Sequence, residues 1–186
     1  MVASKQAYEI QKEWELIQKA QKDPRQFEVI YRSNYEAIFR FIYARMPDES
    51  TTADICSQVF IKALEQIGSY SFKGVPYSAF LYRVAINEVN GYYRKSKKKR
   101  YVQIDTESET YLTSSQTFFE SESTFDFEMF KKVINVLEPD ELTFIEMRFF
   151  EGMSFREIGE IKGIKENNAK IKVFRILKRI RKRLAD

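Results

Sequence analysis

The sequence contains no histidine, and its 186 residues include a single cysteine, Cys56. The absence of histidine excludes His-based catalytic triads and dyads and every zinc site that needs an imidazole. One cysteine cannot close an internal disulfide, which suits a reducing compartment. Glycine and proline are scarce as well, at six and four. They stand as punctuation between long periodic stretches, with prolines at Pro24, Pro47, Pro76 and Pro139. No apolar run approaches the ~18 residues that cross a bilayer, so no integral membrane protein is expected. The opening MVASKQAYEIQKEWE has no apolar signal-peptide core, and the expected address is the cytoplasm. Neither GxxxxGK[ST] nor GxGxxG occurs, so nothing argues for a nucleotide cofactor, and no metal or small-molecule substrate is expected either.

What remains is helical periodicity. Ile10, Trp14, Ile17 and Ala20 recur at helical spacing over residues 5–22. Asp23-Pro24 is a cap followed by a helix-opening proline, and the next helix runs to about Met46. Its apolar positions are Phe27, Ile30, Tyr31, Ile38, Phe39, Phe41 and Ile42. Thr51 with Asp54 is the expected cap of a third helix striped by Ile55, Val59, Phe60, Ala63, Leu64 and Ile67. Residues 68–76 form a loop. A fourth helix starts near Pro76 and ends in the basic run Arg94–Arg100. Further helices are expected around Phe130–Leu137, from Pro139 to about Phe150, from a Ser154-x-x-Glu157 capping box to Gly163, and from about Lys165 to Leu184. The stripe expected to be buried in the last is Ala169, Val173, Phe174, Leu177 and Ile180. No strand is convincing anywhere. The expected class is all-α.

The net charge of +4 hides a division. Residues 1–102 carry +6, residues 103–130 carry −7 with no Lys or Arg, and residues 131–186 carry +5. The sequence therefore divides into a helical domain over 1–100, a flexible acidic linker over 101–125 and a second helical domain over 126–186.

The strongest local motif is SFREIGEIKGIKENNAKIKVFR, residues 154–175. Two helices are joined across Gly163, with the small Gly159 four residues earlier, which is helix-turn-helix spacing. In that motif the second helix lies in the major groove. Its outward candidates are Lys165, Asn167, Asn168, Lys170, Lys172 and Arg175, since Asn pairs with adenine edges and Lys or Arg with guanine. An ordinary helical hairpin with solvated charges is the competing reading. The crowd of cations from Lys178 to Arg183 favours phosphate contact. At the other end of the chain, Arg94 and Lys95 lead the basic run close to Tyr70, Phe72 and Tyr77. Rings beside cations suit single-stranded nucleic acid. Phe72 and Tyr77 could equally be core residues. Trp14 and Cys56 read as packing residues.

Four segments in this order resemble one family. They are residues 23–46 and 53–67, residues 72–95 with Leu81-Tyr82-Arg83-Val84-Ala85-Ile86-Asn87, and residues 137–184. The chain resembles the extracytoplasmic-function (ECF) sigma factors, the smallest class of bacterial RNA polymerase sigma subunits, from about Leu16 to Leu184. Ser57-Gln58 departs from the usual Gln-Glu, Phe80 from a usual Trp, and Asn167-Asn168-Ala169-Lys170 from the usual Gly-Thr-Val-Lys. The resemblance implies a non-enzymatic factor that binds core RNA polymerase and directs initiation at promoter DNA. Asp54, Ser57, Gln58 and Ile61 would meet the polymerase. Tyr70, Phe72, Tyr77, Arg83, Asn87, Arg94 and Lys95 would recognise and melt the −10 element. Residues 165–175 would read the −35 element. An anti-sigma factor is an implied partner. A helix-turn-helix regulator that acts without polymerase is the alternative.

Overall fold

A computed structural model describes residues 2–46, 48–96 and 137–185. The proposed linker, most of the helix expected at Phe130–Leu137 and the end of the basic run lie outside the described residues. The described residues form helices joined by short turns and loops, with no strand among them. The chain divides into two compact units, Met1–Ile104 and Asp105–Asp186.

The N-terminal unit contains α1 (Val2–Lys22), α2 (Phe27–Tyr43), α3 (Glu49–Gln66) and α4 (Tyr77–Ser96). Asp23 caps the short 3-10 turn at Pro24–Gln26, its carboxylate accepting the Arg25 N–H. The cap of α3 is Asp48 rather than Thr51. Asp48 Oδ1 accepts the Thr51 N–H at 2.7 Å, so the cap lies three residues before the expected one. An aspartate in extended backbone has the reach that N-capping needs. The helices α2, α3 and α4 pack on one another around Ile30, Ile38, Ile42, Val59, Ala63, Leu81, Ala85 and Val89, all nearly sealed from solvent. Lys62 and Glu88 join α3 to α4 by an ion pair at 2.6 Å. The Tyr93 hydroxyl donates to the Arg45 carbonyl at 2.6 Å, tying α4 to the end of α2.

The expected stripes need correction at their edges. Leu64 is 39% exposed and Tyr31 38%. Cys56 is buried in place of Leu64, and burial pushes its thiol up to about 11.

The C-terminal unit contains α5 (Pro139–Ile145), a π-helical turn (Glu146–Phe150), α6 (Phe155–Lys162) and α7 (Glu166–Ala185). The expected capping box is formed. The Ser154 N–H donates to Glu157 Oε2 at 2.7 Å, and the Glu157 N–H donates to Ser154 Oγ at 3.2 Å. Gly163 ends α6 at φ +66°, a conformation a side chain resists. At Gly159 the two helices cross so closely that a Cβ would lie 2.7 Å from the Ile164 carbonyl oxygen.

Charge also fastens this unit. Asp140 accepts from both Lys162 and Lys172, and Glu141 pairs with Arg179. Partial burial pushes the Asp140 carboxyl up, but the two ammonium groups outweigh it and hold the group below its usual 3.8. A lowered folded value means that this stabilisation is present above the ordinary carboxylate range and is lost as pH falls through it. We expect the thermal midpoint of this unit to drop on acidification below about pH 4, and Asp140→Asn to shrink that drop. The pairs are half exposed, so the effect is about 1 kcal/mol or less. A melting series from neutral to acid pH checks it.

Candidate nucleic-acid interface

Most of the candidate residues fall on three surfaces. The first is on α7. Ala169, Val173, Ile176 and Ile180 face the core at helical spacing. Lys165, Asn167, Asn168, Lys170 and Arg175 are all exposed. Lys172 is also exposed, but Asp140 holds its ammonium at 2.7 Å and it sits 4.7 Å from the centre of the Phe144 ring. It therefore fastens α7 to α5 within the unit, which weakens its claim as a reader of bases.

Phe174 corrects the expected stripe. It is 42% exposed, and Ile176 takes the buried place. Ile171, 41% exposed, lies one turn earlier on the same outward face. An outward Ile and Phe set among Lys170, Arg175 and Lys178 suit thymine methyl groups in a major groove. Sequence reasoning missed both. The signal was available in the spacing, since 169, 173, 176 and 180 already complete a helical stripe and leave 174 facing outward.

The second surface is the loop and α4. Tyr77 is fully buried and its hydroxyl donates to the Ala63 carbonyl at 3.4 Å. Burial raises its phenol pKa. Its ring belongs to the core and is closed to a base, because it opens α4 directly against α3. Tyr70 is half-buried, edge-on to Tyr77 at 4.8 Å and to Phe80 at 5.4 Å. Phe72 alone of the three is exposed, at 42%. Along α4, Arg83 is half-buried with its guanidinium 5.3 Å from the centre of the Phe80 ring. Asn87, Arg94 and Lys95 are exposed. Asn90, unremarked in the sequence, completes a polar row with Arg83, Asn87 and Arg94 at helical spacing.

The third surface is the outer face of α3. Asp54, Ser57, Gln58 and Ile61 are all exposed and share one helix face at i, i+3, i+4 and i+7. Ile61 is 48% exposed and Leu64 extends the patch. Large aliphatics left outward among polar side chains mark a docking face better than isolated surface leucines do.

Among the described residues no group of three His, Cys, Asp or Glu could hold a metal, and no helix is long and apolar enough to cross a membrane.

Comparison with known proteins gives one family match in each helical unit. The chain matches the Sigma-70 region 2 family over residues 30–99 and the Sigma-70, region 4 family over residues 127–180. It is 24% identical over 176 residues to the ECF RNA polymerase sigma factor BldN of Streptomyces coelicolor, covering 92% of this chain and 66% of BldN. It is 26% identical over 159 residues to the ECF RNA polymerase sigma factor SigW of Bacillus subtilis, covering 81% and 84%. Among solved structures it shares a fold with CnrH, determined in complex with the cytosolic domain of CnrY. The TM-score is 0.62 at 14% identity, covering 93% of this chain and 97% of the other.

Proposed function

We propose that this chain, which belongs to the sigma-70 family and within it to the ECF sigma factors, joins core RNA polymerase and selects promoters by reading two DNA elements. The observation that carries the reading is the outward face of α7, where Asn and Lys or Arg side chains stand free of the core beside Ile171 and Phe174. That face enters the −35 major groove, with Asn167, Asn168, Lys170 and Arg175 at base edges and phosphates. Lys165 lies at the helix start and meets phosphate. The loop at residues 70–76 and the polar row on α4 receive the opened −10 element, with Arg94 and Lys95 on its backbone. The outer face of α3 docks on the polymerase. The factor contributes recognition and the polymerase the chemistry, so the chain is not an enzyme. It works in the cytoplasm, and an anti-sigma factor that masks these surfaces is the regulatory partner.

The test is transcription in vitro from a genomic fragment library, with core polymerase and with or without the purified chain. We expect defined start sites that appear only with the chain present. Lys170→Ala combined with Arg175→Ala should weaken −35 duplex binding and flatten its salt dependence by about 0.9 in log–log slope for each phosphate left without its cation. Lys172→Ala should leave that slope nearly unchanged. Start sites independent of the chain would overturn the reading.

A further inference from the structure

The helix α1 lies ahead of the residues matched by the region 2 family, yet it governs the loop at residues 70–76. One face of α1 carries Glu13, Trp14, Ile17, Ala20 and Gln21. Ile17 and Ala20 are buried and anchor that face. The Gln21 side-chain amide donates to the Ile67 carbonyl at 2.9 Å and the Tyr70 carbonyl at 2.8 Å, where the loop begins. Glu13 Oε2 accepts the Tyr77 N–H at 2.9 Å, where the loop ends and α4 starts. A carboxylate at that position also suits the positive end of α4. The loop is thus held at both ends by side chains two turns apart on one helix. Between them lies Trp14, half-buried. Its ring is 5.4 Å from the Phe72 ring at an interplanar angle of 30°, and 6.3 Å from Tyr70.

We infer that Trp14 and Phe72 form a two-ring platform on which one unpaired DNA base stacks, and that Glu13 and Gln21 are positioning residues that hold it open. Phe72 keeps a large apolar ring in water while Trp14 supports one side of it, the arrangement a stacking surface requires. Exposed Lys73 beside it and the row Arg83, Asn87, Asn90 and Arg94 on α4 supply charge and hydrogen bonds for the strand. Rings beside cations recognise single-stranded nucleic acid by its faces and phosphates. The inference rests on the reading of this loop as the −10 element's receiver.

Trp14 is the chain's one tryptophan, so its emission reports on this platform and nothing else. The full chain is titrated at low salt with a dye-labelled single-stranded dT 12-mer, and separately with the same backbone made abasic. Dye anisotropy follows binding, and tryptophan emission follows stacking. We expect the dT strand to quench Trp14 in step with binding, and the abasic strand to bind more weakly without quenching. Phe72→Leu should lower dT affinity on the order of tenfold and abolish the quench, while Phe72→Tyr restores both. Gln21→Ala should lower affinity with an unchanged helical circular dichroism signal. If dT binds with no change in emission and Phe72→Leu binds equally well, the platform is wrong and promoter reading survives. If the chain binds no DNA, single- or double-stranded, alone or with core polymerase, the functional reading fails and takes the platform with it.

Discussion

Gly159→Val is expected to collapse the C-terminal unit and abolish −35 duplex binding while the N-terminal unit melts unchanged. The reason is local and geometric. A Cβ at residue 159 would meet the Ile164 carbonyl oxygen at 2.7 Å and the Glu166 nitrogen at 3.3 Å. Both are backbone atoms on the turn, so neither can swing aside as a flexible side chain would. The same turn is fixed from within, since the Ile164 N–H donates to the Gly159 carbonyl at 2.9 Å. Relief requires α6 and α7 to move apart. That would open the packing of α6 on α7, where Ile158, Ile161, Ala169 and Val173 are all almost fully buried. Overpacking of this kind costs about 3 kcal/mol. A unit this small has little more than that to lose, and its melting midpoint should fall by roughly 15 °C or vanish. A thermal scan that resolves the two units reads the result. A wild-type profile would mean that the helices do not cross as closely as described. Because α7 would lose its placement, DNA binding should fall further than the removal of any single cation could explain.

How far the sequence discloses this architecture depends on the kind of signal. Punctuation is legible. Ser154 with Glu157, Gly163 and Pro139 each act within a few residues of themselves, the first pair through capping side chains and the others through backbone geometry, and each does in the fold what local chemistry dictates. Stripe edges are less legible. Leu64 and Phe174 sit at helical spacing beside true core residues, and an apolar letter there does not say whether the helix buries it or offers it to a partner. Tyr77 and Phe72, five residues apart beside one loop, look interchangeable in sequence. Their fates diverge because Tyr77 opens α4 against the core while Phe72 lies out on Trp14. The reach of α1 to the loop is the least legible feature. It depends on hydrogen bonds spanning 46 to 64 residues, through Gln21 and Glu13, that no local pattern encodes.

Ile61→Glu should eliminate co-elution with core polymerase and promoter-dependent transcription, yet leave fold and duplex binding intact. Ile61 is 48% exposed and surrounded on its helix face by Asp54, Ser57 and Gln58, so a glutamate there meets water in the free chain. Surface substitutions of that kind change stability by about 0.5 kcal/mol at most. In a docked state the same carboxylate would be desolvated at the centre of the patch. Losing an apolar anchor and burying an unpaired charge costs about 2 kcal/mol or more, roughly thirtyfold in affinity. A helix-turn-helix regulator acting alone would register no change, because the DNA contacts expected of it would come from α7 rather than from α3. The variant therefore separates a polymerase subunit from a free-standing regulator by one comparison, duplex affinity against polymerase affinity. Gln58→Glu tests the same face in the opposite direction. It places the family's usual acid one helical turn from both Asp54 and Lys62, so it strengthens docking only if the polymerase surface opposite is basic. A gain confined to low salt would identify the partner surface as cationic, and a weakening would mean that this chain's neutral Gln58 is matched to a neutral groove.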